Sequence, residues 1–272
     1  MKMAPLRSTT RKITPRSTSS TGKAVSVTAA TAKQRMLKLL VCSDAPEQAL
    51  RYRGFIRIAG VDEVGRGALF GPVVAAAVIL PEKIAGLATK GLKDSKQMTR
   101  EERETMDRRI RRMALAVSVA EASAETIDRV NIYQATRLAM LAAVEGLSIA
   151  PDHLLIDAMR IDHLCAQTRL IYGDALSLSI AAASVVAKVH RDALMRQLHE
   201  EHPQYGLASH KGYATPEHRR ALEEHGPCAL HRRSFAPVAL ACGVPREPSL
   251  FGDEFLDVAI EPAEFEECVD WA

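Results

Sequence analysis

The chain has 272 residues, 47% hydrophobic and 25% charged, enough to build one large domain or two small ones around an ordinary core. The longest apolar run, Val73 to Leu80, is far too short to span a bilayer, and no apolar stretch after the basic start reads as a secretory signal. Five scattered cysteines (Cys42, Cys165, Cys228, Cys242 and Cys268) without a C-x-x-C pair argue against a zinc site or a disulfide framework, so a reducing, cytoplasmic setting is expected.

The net charge of +3 conceals a strong polarity along the chain. Residues 1 to 43 carry Lys and Arg but no acid, and residues 247 to 272 carry Asp and Glu but no base. The head, 1–40, is rich in Ser and Thr and lacks aliphatic periodicity, so it is expected to be disordered. It suits a basic arm near nucleic acid, and its composition also matches an organellar transit peptide. The acidic tail, 247–272, is expected to be a solvated, disordered extension.

Between about 45 and 245 strand-like and helix-like segments alternate. Phe55 to Val61 alternates apolar residues as a strand does, and Val73 to Leu80 gives a second strand after a Gly-rich turn. Thr99 and Glu102 form a capping box that opens a basic helix running to Met113. Leu115 to Ala120 predicts a strand, and Asn131 predicts the cap of a helix closed by Gly146. His153 to Asp157 reads as a buried strand and Arg169 to Tyr172 as another. A helix over Leu178 to His199 is nearly apolar in its first half, so that half should be buried. Thr215-Pro216 starts one more helix, which Gly226 ends. The pattern predicts an α/β domain, a mixed sheet flanked by helices, with a small helical C-terminal part.

Acidic residues fall where such sheets place their ligands. Asp62 and Glu63 follow the first predicted strand, and Asp157 ends a later one. Strand neighbours point to opposite faces, so Asp62 and Glu63 can share a site only if the chain bends, and Gly65-Arg66-Gly67 supplies a bend. On the long helix Ser184, Lys188 and Asp192 form one stripe. Taken alone, Lys188 and Asp192 are a routine helix pair worth about 0.3–0.5 kcal/mol. Adjacent carboxylates raise one another's pKa unless a cation neutralises them. Carboxylates without His or Cys suit Mg²⁺ or Mn²⁺, and a pair of such ions is the usual device for displacement at phosphorus. Glycine lets backbone approach a ligand closely, the 2′-hydroxyl is the group that distinguishes RNA from DNA, and Arg66 can fork onto a phosphate.

These residues together resemble the type 2 ribonuclease H family. The resemblance rests on "DEVGRG" (Asp62 to Gly67) followed by "GPVVAAAVIL", "LKDSK" (Leu92 to Lys96), "IDA" (Ile156 to Ala158) and "SIAAASVVAKVHRD" (Ser179 to Asp192). "HPQYGLASHKGYATPEH" (His202 to His218) and "HRRSFAPV" (His231 to Val238) complete it in order. Departures are minor: Val64 stands where alanine is frequent, and "ALFG" where "PLAG" is common. The resemblance implies a ribonuclease H-like fold and a Mg²⁺- or Mn²⁺-dependent endonuclease, expected to act as a monomer on RNA–DNA hybrids and on ribonucleotide-containing duplex DNA. It implies cutting 5′ of a single ribonucleotide, leaving a 3′-hydroxyl and a 5′-phosphate. Asp62, Glu63, Asp157 and Asp192 match the metal-binding catalytic acids. Gly65, Arg66 and Gly67 match the loop that reads the 2′-hydroxyl, and Tyr213 the tyrosine that stacks on the junction sugar. Ser95, Lys96, Lys188 and Lys211 fall in motifs that contact phosphates. Two rival readings are an enzyme like ribonuclease HIII, which has "GTG" where this chain has Gly65-Arg66-Gly67, and a catalytically silent protein that only binds nucleic acid.

Overall fold

The computed structural model describes residues 40–83, 92 and 98–243. The basic head, the acidic tail, Ser95 and Lys96 lie outside the described residues. Helix α1 (Ala45–Tyr52) leads into strands β1 (Ile58–Val64) and β2 (Val73–Ile79). Helix α2 (Arg100–Met113), strand β3 (Ala116–Ala122) and helix α3 (Ala124–Glu145) follow. Strands β4 (His153–Asp157) and β5 (Ala166–Leu170) then precede the long helix α4 (Leu178–Glu201), and α5 (Pro216–His225) and α6 (Ala236–Ala241) form the C-terminal part. No described helix is long and apolar enough to cross a membrane.

The sheet order is β3-β2-β1-β4-β5. The pairs β1–β2 and β2–β3 are antiparallel, whereas β1–β4 and β4–β5 are parallel, so the sheet is mixed as expected. Strand β2 is buried at every position because both its faces are covered. Val73, Ala75, Ala77 and Ile79 pack with Ala139, Met140 and Ala143 of α3. Val74, Ala76 and Val78 pack with Met106 and Ile110 of α2 and with the apolar first half of α4. This two-sided burial explains why β2 reads as a continuous apolar run rather than an alternating one.

Helix α4 lies against β1 because Gly60 has no side chain. A Cβ there would come within 2.0 Å of the Ser179 carbonyl carbon. At the start of α4 the Ser177 hydroxyl accepts from the Ile180 amide, and Glu47 of α1 caps from outside. The buried Glu47 Oε1 accepts from the Ser177 hydroxyl at 2.6 Å and from the Ser179 amide at 2.8 Å. A carboxylate at a helix N-terminus is favoured by the dipole and by otherwise unmet N–H groups.

Several boundaries differ from the sequence expectation. Strand β1 starts at Ile58 and continues through Glu63, so the adjacent acids lie inside a strand rather than after it. Their pairing with Ala76 and Ala75 of β2 keeps the chain extended there. Strand β5 comes earlier than predicted, and Tyr172 takes a left-handed conformation, φ 58°, that ends it and opens the helical turn Gly173–Leu176. Helix α3 begins before Asn131, at a Ser123 cap. Asn131 (φ 67°) marks a kink within it, where its Oδ1 accepts from the Gln134 amide at 3.0 Å.

Candidate active site

The register of two parallel strands builds the centre of the site. Val61 pairs with Ile156, so the next residues, Asp62 within β1 and Asp157 at the end of β4, follow side by side where the two strands cease to pair. Asp62 is on the face of β1 that meets α4. Gly60 touches Ser179 on that face, and two residues on, Asp62 receives a hydrogen bond from Ser184. Asp62 is 5% exposed. Burial pushes its carboxyl well above the ordinary carboxylate range, and the charges of Asp157, Glu63 and Asp174 add to the rise, against the Ser184 bond.

Asp174 was absent from the sequence reading. It is buried in the turn Gly173–Leu176, next to Gly173, whose amide donates to Asp157 Oδ1 at 2.7 Å. The crossover from β5 to α4 thus delivers a fourth acid to Asp62 and Asp157. The signal was present as a Gly-Asp pair shortly after a strand and just before a helix cap.

Asp192 is not brought into this group by the structure. It lies eight residues beyond Ser184 on α4, about 12 Å along the axis at 1.5 Å per residue. Its Oδ1 accepts from Lys188 Nζ at 2.7 Å, and Arg103 of α2 stands 3.7 Å from its Oδ2. Lys211 feels the charges of Asp192, Arg196, Lys188 and Arg100, while burial lowers its own pKa. Asp192 therefore sits within a basic cluster, a helix pair extended by α2. Lys188 and Lys211, the two described lysines assigned to phosphates, belong to that cluster.

The Gly-Arg-Gly loop sits beside the acids, and its two glycines differ. Gly65 has φ +89°, and a Cβ there would fall 2.1 Å from Arg191 Nε. Gly67 needs no positive φ, and a Cβ there would meet nothing within 4 Å. Arg66 lies 3.4 Å from Glu63 and is partly exposed, so it reaches back to the acids as well as outward. Two fully buried arginines fix this loop through backbone carbonyls. Arg232 donates to Arg66 O at 2.8 Å and Gly71 O at 2.9 Å. Arg191 donates to Phe70 O at 3.1 Å and Lys211 O at 2.8 Å. Burial, with the charge of Arg191 added, pushes Arg232 down to about 9. Neither arginine carries a periodic or spacing signal in the sequence that marks this role.

Those bonds also bring Tyr213 to the loop. Ala68 bridges to Tyr213, and the Leu69 amide donates to Gly212 O at 2.8 Å. Tyr213 remains 36% exposed, with the Arg191 guanidinium 5.7 Å from its ring centre. Gly65, Arg66, Gly67 and Tyr213 are thus brought together as expected.

The donor set suits a hard divalent cation. Its oxygens belong to carboxylates, and their mutual repulsion, visible at Asp62, is what such a cation relieves. Among the described residues, no three His, Cys, Asp or Glu side chains are arranged as a ready-made metal site. Asp62 Oδ1 is taken by the Glu63 amide at 2.8 Å and Asp157 Oδ1 by the Gly173 amide.

Solved structures share this architecture. The ribonuclease H2 of Pyrococcus horikoshii OT3 matches with a TM-score of 0.62 at 25% identity, over 68% of this chain and 97% of that one. Bst-RNase HIII, solved in complex with Mn²⁺, matches in fold with a TM-score of 0.55 at 23% identity, over 70% of each chain. Fold and carboxylate cluster define the class: an endoribonuclease of the ribonuclease H type, a phosphodiester hydrolase. The family model described as Ribonuclease HII matches residues 59–238. Ribonuclease HII of Koribacter versatilis (strain Ellin345) is 52% identical over 241 residues, 89% of this chain and 94% of its own. Ribonuclease HII of Bacillus cereus (strain B4264) is 51% identical over 192 residues, 71% of this chain and 74% of its own. The chain belongs to the ribonuclease HII family.

Proposed function

We propose that this endonuclease hydrolyses the RNA strand of RNA–DNA hybrids and cuts 5′ of single ribonucleotides in duplex DNA, leaving a 3′-hydroxyl and a 5′-phosphate. The observation that carries the reading is the fixed juxtaposition of Gly65–Gly67 and Tyr213 beside the buried acids. Asp62, Asp157 and Asp174 would hold Mg²⁺ or Mn²⁺, with Glu63, one position on along the extended strand, adding its charge beside them, and the cation when bound supplies an activated water and charge stabilisation of the leaving oxygen. The open backbone at Gly67 admits a ribose 2′-hydroxyl. Arg66 forks onto the adjacent phosphate, and the exposed face of Tyr213 supports the sugar at the junction. Lys188 and Lys211, with Arg103 and Arg196 nearby, meet the flanking phosphates, and Asp192 keeps those cations in place.

The test is cleavage of an end-labelled duplex containing one ribonucleotide, in Mg²⁺, Mn²⁺ or EDTA, by wild type, Asp174→Asn and Asp192→Asn. Removing a metal ligand should cost at least as much as removing one oxyanion donor, roughly 10²–10³-fold. Asp174→Asn should lose that much, and Asp192→Asn should lose far less while binding with altered salt dependence. Cutting 3′ of the ribonucleotide, or full activity in EDTA, refutes the reading. A larger loss in Asp192→Asn than in Asp174→Asn restores the sequence assignment of the fourth acid.

A further inference from the structure

The segment that carries Tyr213 is held by three histidines whose protons have only one consistent arrangement. Backbone groups fix it, because an amide N–H only donates and a carbonyl only accepts. His218 Nδ1 lies 3.0 Å from Tyr213 O, so Nδ1 carries the proton and Nε2 is bare. His231 Nδ1 accepts from the Cys228 amide at 3.0 Å, so its proton is on Nε2. That Nε2–H faces the bare Nε2 of His218 at 3.3 Å and donates to it. His210 Nδ1 accepts from the Gly212 amide at 3.2 Å, and its Nε2–H donates to Tyr205 O at 2.7 Å. The His210 ring stacks on His218 with centres 4.6 Å apart. Each of these contacts is satisfied by three neutral rings, and one further proton on any of them sets donor against donor.

We propose that His218 is a positioning residue for Tyr213, holding its backbone through the Nδ1–H tautomer that His231 enforces. The proposal rests on the junction reading given above. His218 is fully buried and His231 nearly so, and both pack beside Phe70 and Tyr205. Gly212 and Tyr213 pair with Leu69 and Ala68, the residues that follow the Gly-Arg-Gly loop, so what fixes them fixes the distance between loop and ring. The charged and titratable groups facing the trio are few. Glu217 and Lys211 act on His210, His202 acts on His231, and the Cys228 thiol lies 3.4 Å from His231 Nδ1. Burial pushes all three histidines below 6.5, His231 to about 3, which agrees with the neutral arrangement.

Two substitutions separate the two bonds of His218. Asparagine places an amide N–H where Nδ1–H stands and keeps the bond to Tyr213 O. Glutamine places an acceptor where Nε2 stands and keeps only the bond from His231. The measurement is the ratio of kcat/KM on a single-ribonucleotide duplex to kcat/KM on an all-RNA strand paired with DNA. It is made for wild type, Tyr213→Ala, His218→Asn and His218→Gln. Tyr213→Ala should lower the ratio about tenfold, the order of one lost stacking surface. His218→Gln should move most of the way toward that value, and His218→Asn should stay closer to wild type. An unchanged ratio in Tyr213→Ala sinks the junction reading, and with it this proposal. A lowered ratio in Tyr213→Ala beside a wild-type ratio in His218→Gln sinks the positioning role alone. Imidazole ¹⁵N shifts of the full-length wild type at pH 7 give a readout that needs neither activity nor a stable variant. His218 should be protonated at Nδ1 and His210 and His231 at Nε2, and an Nε2–H tautomer of His218 overturns the proposal.

Discussion

The two glycines that flank Arg66 should respond to alanine in opposite ways. At Gly65 the φ of +89° is disfavoured for any L side chain, and the added methyl would overlap Arg191 Nε, 2.1 Å away. Left-handed backbone costs a non-glycine residue roughly 1–2 kcal/mol. Relieving the overlap means moving a buried guanidinium off Phe70 O or Lys211 O, and a hydrogen bond from a charged group is worth about 1.5–3 kcal/mol. Gly65→Ala should therefore lose about 2.5–5 kcal/mol, a fall in Tm of roughly 5–20 °C for a domain of this size. At Gly67 neither term applies, and the change should lie within about 0.5 kcal/mol of wild type. On the function proposed above, Gly67→Ala should nevertheless cleave poorly, because the methyl would occupy the open space that the proposal gives to the ribose. The assay is a thermal melt of both variants beside kcat/KM on the single-ribonucleotide duplex. Equal melting losses would refute the packing argument. A Gly67→Ala enzyme that melts and cleaves like wild type would remove Gly67 from the substrate face.

Two further outcomes concern the frame around the site. Glu47→Ala should destabilise the fold by roughly 1–3 kcal/mol, since the Ser177 hydroxyl and Ser179 amide lose a buried acceptor; urea unfolding measures it, and a loss under about 0.5 kcal/mol would show that the contact carries no net stability. The contribution of His231 to stability should also fall as pH drops below 6.5, because the unfolded chain then protonates it while the folded chain resists until about pH 3, a slope of about 1.4 kcal/mol per pH unit for that histidine. The raised carboxyl of Asp62 works the other way, contributing stability at low pH that is lost as pH rises through its folded value. Comparing Tm against pH for wild type and His231→Gln isolates the histidine share, and parallel curves would contradict it.

The acids that adjacency and strand ends mark, Asp62, Glu63 and Asp157, were legible because each lies in or at the end of an apolar segment. The fourth was not. Asp192 fell in line with Ser184 by helical periodicity, and Ser184 does reach Asp62. Periodicity gives direction around an axis but not position along it, and two further turns carry Asp192 into the company of Lys188 and Arg103. Asp174 sits in a short turn whose place depends on how β5 crosses to α4, a tertiary fact with no periodic signature. Gly60 shows the same limit. Its residue type is visible, but the backbone of Ser179 against it is not. The buried pair Arg191 and Arg232 reads in sequence as surface charge, because arginine is seldom buried whole and their partners are carbonyls far along the chain.

Two independent structures therefore meet at this site. The register of β1 with β4 sets Asp62 and Asp157, and the crossover into α4 adds Asp174; these contacts belong to the sheet and its first covering helix. The Gly-Arg-Gly loop and Tyr213 are set by Arg191, Arg232, His218 and His231, three of which lie in the C-terminal part. On the function proposed above, chemistry at phosphorus uses the first set and choice of the ribose uses the second. A lesion in the C-terminal network should then lower discrimination between single ribonucleotides and RNA tracts before it removes cleavage, whereas loss of an acid should lower both together. The separation follows from rigidity. Strand register shifts only in whole residues, and a one-residue shift would turn the acids to the other face of the sheet. Hydrogen bonds to loop carbonyls can stretch continuously, and a misplacement of about 1 Å can cost on the order of 10²-fold in rate.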